Sequence, residues 1–226
     1  MGLTSFKTFF SLRQRFNPQA MGFDCDIGTI NRLSARMGLA KSFQGIQLEG
    51  YTKQTVQGYN ALFRVFLTHS ALECFCEVYG YGTSWPKMSQ ALAPVIACYD
   101  PAPVMHIFRE RDNQDKLYSF LQKHLTNKSL LKDLKDCKEC TSENIVAVSA
   151  AMRHVFAHGV LTPNANEMNP RAAHAIGTGI ADFLFSMMDA EFTKTVEAYC
   201  AKKGIAPCRA EQKPAAEPDL IDTGVL

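Results

Sequence analysis

The chain has no run of about 18 uninterrupted apolar residues, the length a helix needs to cross a bilayer. Its most apolar stretch, Ile180 to Met188, is broken by Asp182 and Ser186, which argues against an integral membrane protein. It also lacks a charge imbalance: 24 Lys and Arg stand against 22 Asp and Glu, a formal net charge of +2. No broad field therefore concentrates polyanions over the surface, and any polyanion site is local. The first residues show neither a compact apolar segment nor a small-residue cleavage site, so a cytoplasmic location with reduced thiols is expected for the eight cysteines. A Gly-rich phosphate loop, a nucleophile elbow and a kinase signature are all absent from the sequence, which removes the commonest nucleotide-dependent enzymes. Strand-like alternation is missing as well, and the fold class expected is all-α.

What is present suffices for one core: 226 residues, 46% of them apolar, suit a single domain with extensions. The opening stretch from Thr4 to Phe16 sets Phe6, Phe9, Phe10 and Phe16 at helical spacing beside Lys7, Arg13 and Arg15, with no acidic residue before Asp24. This is a basic amphipathic segment. A membrane-surface or targeting role is one reading, and docking on its own domain or on a partner subunit is the more ordinary one. Phe6 stands where a myristoylation signal needs Ser or Thr. Glycines at 28, 38, 45 and 50 suggest loops around one short helix near Asn31 to Leu39, so residues 1–50 are read as an N-terminal extension.

A long helix follows from Thr52 to Tyr79, where Val56, Tyr59, Phe63, Phe66, Leu67, Phe75 and Val78 recur at three- and four-residue steps before Gly80. Shorter helices are expected near Met88 to Cys98, Pro103 to Asp112, Gln114 to Thr126 and Lys128 to Cys137. Ser142 and Glu143 open another that runs to Phe156 and stops at Gly159, and Asn169 with Pro170 starts a last helix that stops at Gly204. These two are expected to pack antiparallel across the loop from Val160 to Asn169. Residues 51–203 would form the helical domain, and 204–226, without periodicity and dominated by Pro, Ala and acidic residues, a disordered tail.

One short stretch is able to carry chemistry, Arg153-His154-Val155-Phe156-Ala157-His158-Gly159. Arg and His five positions apart is a weak pattern alone, and Arg64 with His69 repeats it inside the long helix. That copy has an apolar residue after the Arg and no Gly after the His, and reads as structural. In the other, polar His154 follows the Arg, Phe-Ala precedes the His, and Gly159 ends the helix at once, leaving His158 beside an open helix end. Positions five apart on an ideal helix diverge by ~140°, so Arg153 and His158 serve one pocket only with helix fraying or a facing second copy.

Arg-polar-x-x-x-His followed by Gly, near the end of one helix and ahead of a long last helix, resembles the HEPN superfamily (higher eukaryotes and prokaryotes nucleotide-binding). The likeness covers residues 51–203 in helix order and 153–159 in sequence. It implies an HEPN-like helical bundle and a metal-independent RNA endonuclease, working without a cofactor as a homodimer whose paired motifs build one composite site. RNA or a nucleotide would be the ligand, and an antitoxin-like protein partner belongs to the same picture. Many members carry Asn where this chain has His154. The catalytic residues expected are Arg153, His154 and His158. His158 would act as acid or base, Arg153 would offer two parallel donors to phosphate, and His154 would position substrate or its partner His.

The same residues have plainer readings. Arg153 would cap local carboxylates, and His158 would be held at a helix C-terminus by the macrodipole. The alternative function is a non-catalytic all-helical nucleotide-binding or protein-interaction module. His154 and His158 share a helix face, as zinc ligands would, yet no third ligand has an obvious place. Cys137 and Cys140 have half-site spacing without a second pair. Glu73 and Glu77 are one turn apart on the long helix, either as a solvated stripe or as a carboxylate that orients a His or pairs with Arg153.

Overall fold

The computed structural model describes residues 2–206 apart from Asn113. Most of the expected tail, residues 207–226, lies outside the described residues. The described residues form ten α-helices and one short 3-10 helix, with no strand among them, so the protein is all-α. In order these are α1 (Phe6–Leu12), α2 (Pro18–Met21), α3 (Ile27–Ser42), α4 (Lys53–Val78), α5 (Trp85–Ile96), α6 (Ala102–Arg111), α7 (Lys116–His124), α8 (Lys128–Lys138), α9 (Ile145–Ala157) and α10 (Pro170–Lys203), the 3-10 turn Ala165–Glu167 lying between the last two. No described helix is long and apolar enough to cross a membrane.

The fold is built around α4. Thr52 caps it, accepting a hydrogen bond from the Thr55 amide at 3.2 Å. Its buried side chains, among them Leu62, Val65, His69, Leu72, Phe75 and Val78, occupy most of its circumference. A helix buried around most of its circumference needs neighbours on several sides, and α3, α9 and α10 supply them. α3 runs antiparallel to it, with Arg32 paired to Glu77, Arg36 bonded to Ser70 and Phe43 against Phe63. α10 runs parallel, because its contacts climb both helices together: Gly177 on Ala61, Asp182 with Arg64, Thr195 with Tyr79. A Cβ on Gly177 would stand 3.0 Å from the Ala61 Cβ, so glycine sets how closely these helices cross. The 34-residue α10 begins at Pro170, with the Asn169 side chain accepting from the Arg171 amide, and ends at Gly204 in the left-handed region.

Two expectations are corrected. The motif helix α9 does not pack along α10; it lies on α4, α8 and α7. Its side chains are buried without a break from Ile145 to Met152, and covering every side of that run takes several neighbours. Residues 1–50 are no extension either. Leu3, Phe9, Leu12, Met21, Phe23, Ile30, Leu33 and Met37 belong to the main core. Of the four glycines that suggested loops, Gly28 and Gly38 sit inside α3, which Asp26 caps through the Thr29 amide at 2.7 Å, while Gly45 and Gly50 do lie in the connection to α4. A Cβ on Gly2 would run into the Ser34 carbonyl and the Gly38 backbone, so glycine marks a close approach of chain to helix here.

Candidate functional site

Unbroken burial ends on α9 where the motif begins, and within the motif only Val155 is sealed. Ile145 to Met152 are sealed, and Arg153 and His154 are the first partly exposed residues of the helix. His158 is the C-cap, its amide donating to the His154 carbonyl at 3.2 Å. Gly159 takes φ +71, and a Cβ there would meet nothing within 4 Å. The helix therefore stops for conformational reasons and opens onto free space.

The imidazole rings of His154 and His158 meet edge to face, 4.6 Å between centroids. His158 is exposed and His154 half-buried. Burial first, then the neighbouring His158 and Arg153, hold the His154 pKa below its usual value, so this imidazole favours its neutral form. Arg153 turns toward α4, with Nη2 3.1 Å from Glu73 Oε1 and 3.4 Å from Oε2. Its Nε is buried without an acceptor. Of the two carboxylates on that stretch, Glu73 thus pairs with Arg153, while Glu77 pairs with Arg32.

Beneath the motif lies a contact that the sequence reading left out. His69 Nδ1 of α4 is 2.9 Å from Ser149 Oγ of α9, with both residues buried. Burial, with the Arg153 cation second, pushes the His69 pKa down to about 3. The signal available was Ser149 itself, a hydroxyl within an otherwise apolar run, which needs a partner once buried. The plain reading of the other Arg-His pair is met: Arg64 bonds Asp182 at 2.6 Å and His69 is sealed in the core.

Of the three expected site residues, His154 and His158 come together, and Arg153 stands alongside without a bond to His158. Around them a row of rings leads away, Phe66 to Phe156 at 6.2 Å, Phe156 to Phe63 at 4.9 Å and Phe63 to Phe43 at 6.1 Å. It reaches a groove of about 210 Å³ lined by Phe43, Gln57, Asn60, Arg64 and His174 among others. Among the described residues no group of three or more His, Cys, Asp or Glu is placed to share a metal ion. Cys137 is buried, its thiol directed at the Asn144 carbonyl, and Cys140 is exposed.

No family model matches the chain, and no curated protein or solved structure matches it either. The likeness to HEPN domains rests on residues 153–159 and their place at the end of a helix.

Proposed function

We propose that the protein is a metal-independent endoribonuclease of the HEPN type, whose active site forms where two copies bring their α9 ends together. The observation that carries this reading is the joint placement of the motif: two touching imidazoles at an open helix end, with an arginine beside them oriented by Glu73. A neutral imidazole takes the proton of a ribose 2′-hydroxyl, whose oxygen bonds to the adjacent phosphorus. A protonated imidazole gives its proton to the departing 5′-oxygen, and arginine stabilises the charge of the phosphorane. The products are a 2′,3′-cyclic phosphate and a 5′-hydroxyl. Arg153 and His158 of one chain are not bonded to each other, so the second copy completes the constellation, and exposed Val160 supplies apolar surface next to it. The row of phenylalanines offers faces on which unpaired bases stack.

The test is cleavage of a mixed RNA pool in EDTA by wild type, His158→Ala and Arg153→Ala, with the product ends analysed and the oligomeric state followed by light scattering. Cyclic phosphate ends from wild type alone are expected. Equal cutting by all three proteins, or a folded dimeric wild type that cuts nothing, removes the nuclease reading. One observation favours the alternative. The Arg153–Glu73 bond already answers the guanidinium charge, as it would in a non-catalytic module where Arg153 ties α9 to α4.

A further inference from the structure

The N-terminal segment docks only half of itself. Thr8, Phe9 and Leu12 of α1 turn into the core, while Lys7, Phe10 and Arg13 recur at three-residue steps on the other side. Phe10 is 42% exposed, and the Arg13 guanidinium lies 3.5 Å over its ring. Beside it opens a cleft of about 530 Å³ lined by Gly2, Phe6, Lys7, Phe10, Ser11 and Ser34. The cations continue beyond the helix: Arg15 is exposed, and the Lys203 ammonium at the end of α10 is 5.9 Å from the rings of Phe16 and Tyr199. Nothing before Asp24 is acidic. Of the acids on this part of α10, Asp189 is engaged by Thr4 and Lys41 and Glu191 by Tyr99 and Lys194, while Glu197 is exposed.

We propose that this face is a docking surface for an anionic lipid bilayer. Phe10 enters between the headgroups, the apolar cleft beside it accepts the upper acyl region, and Lys7, Arg13, Arg15 and Lys203 attract lipid phosphates and carboxylates. Charge complementarity selects the partner, since a rim of cations around an exposed ring, on a segment without an acidic residue before Asp24, matches a negative surface with an apolar layer beneath it. Single-stranded RNA also takes cations and rings, but Phe6 and Phe10, 6.2 Å apart and tilted by 50°, wall a cleft and do not stand as successive open platforms. The face lies on α1 and the end of α10, and the inference is independent of the nuclease reading.

The experiment is co-sedimentation of the full chain with phosphatidylcholine vesicles, with and without phosphatidylserine, at low and high salt. Binding is expected on the phosphatidylserine vesicles alone and is expected to fade as salt screens the cations. Replacing Lys7, Arg13 and Arg15 by Gln should lower partitioning roughly fivefold per cation removed. Phe10→Ser should also lower it, with the helical circular dichroism unchanged because that ring is exposed. The proposal is overturned if folded wild type stays in solution beside phosphatidylserine vesicles at low salt. It is equally overturned if either variant partitions as wild type does, or if those three cations capture labelled single-stranded RNA while vesicles go unbound.

Discussion

Arg and His stand five positions apart twice in this chain, and the two copies meet different fates on either side of one helix contact. On α4, Arg64 reaches outward to Asp182 and His69 turns inward to Ser149, sealed from water. On α9, Arg153 leans back to Glu73 of α4 while His158 stands exposed with its ring against His154. Spacing does not separate them. The first pair lies in the middle of a helix covered by neighbours, whereas the second lies where the helix runs out at a glycine. Five positions of helix always send two side chains in different directions, and the surroundings decide whether the His is a core residue or an exposed one.

The comparison breaks most clearly under acid. Burial pushes the His69 pKa from 6.5, the value of an unperturbed imidazole, down to about 3 in the folded protein, so the unfolded chain binds a proton that the folded one refuses. Its contribution to stability is complete above pH 6.5 and is lost as the pH falls from there toward 3. Urea unfolding at several pH values should show that slope in wild type and a shallower one in His69→Gln. His69→Ala should cost about 2–4 kcal/mol at neutral pH, because it opens a buried space and leaves the Ser149 hydroxyl without its partner.

His158→Ala should do the reverse. Cleavage should fall on the order of 10²-fold or more, with the unfolding midpoint nearly unmoved because the side chain is exposed. If both histidine variants lose stability alike, the distinction between the two sites fails. Glu73→Gln sharpens it further: releasing Arg153 from a half-exposed pair should cost about 1 kcal/mol or less. Cleavage should nevertheless drop, since the guanidinium loses its orientation, and urea curves beside cleavage rates separate the two effects. The smallest expected effect is spectroscopic. His158→Gln removes one of the two charged groups that depress His154, so the His154 ring resonances should titrate at higher pH than in wild type.

Helix content and much of its order were legible, because α4 and α10 announce themselves by apolar periodicity, polar caps and terminal glycines, and α8 by its periodicity and the Asn127 cap. The plain reading of His69 was legible too, from its place inside a long apolar helix. The N-terminal fifty residues were misread because glycine has two meanings. It permits turns, but at Gly2 and Gly38 it permits backbone to approach backbone, and a sequence does not say which. The packing of α9 was misread because helices close in sequence usually pack together, whereas α10 is matched to α4 along most of its length. At the site, helical spacing left Glu73 and Glu77 open between a solvated stripe and a partner for a His or Arg153, and only the packing of α9 on α4 singles out Glu73. The His69–Ser149 bond was not, since it joins residues 80 apart that only the completed core brings together.

The parallel run of α4 and α10 also has a consequence for synthesis. Arg64 and Asp182, which bond across it, are 118 positions apart. When α4 leaves the ribosome, α10 is not yet there to cover it. At ~5–20 residues per second, the start of α10 follows roughly 5–20 s later, and for that interval the side of α4 that α10 covers is open to chaperones and proteases. A product that ends prematurely just after Gly159 carries the whole Arg-His motif but lacks the helix that closes the core. It is a substrate for degradation, so the quality control of unfinished chains is written into the order of the helices.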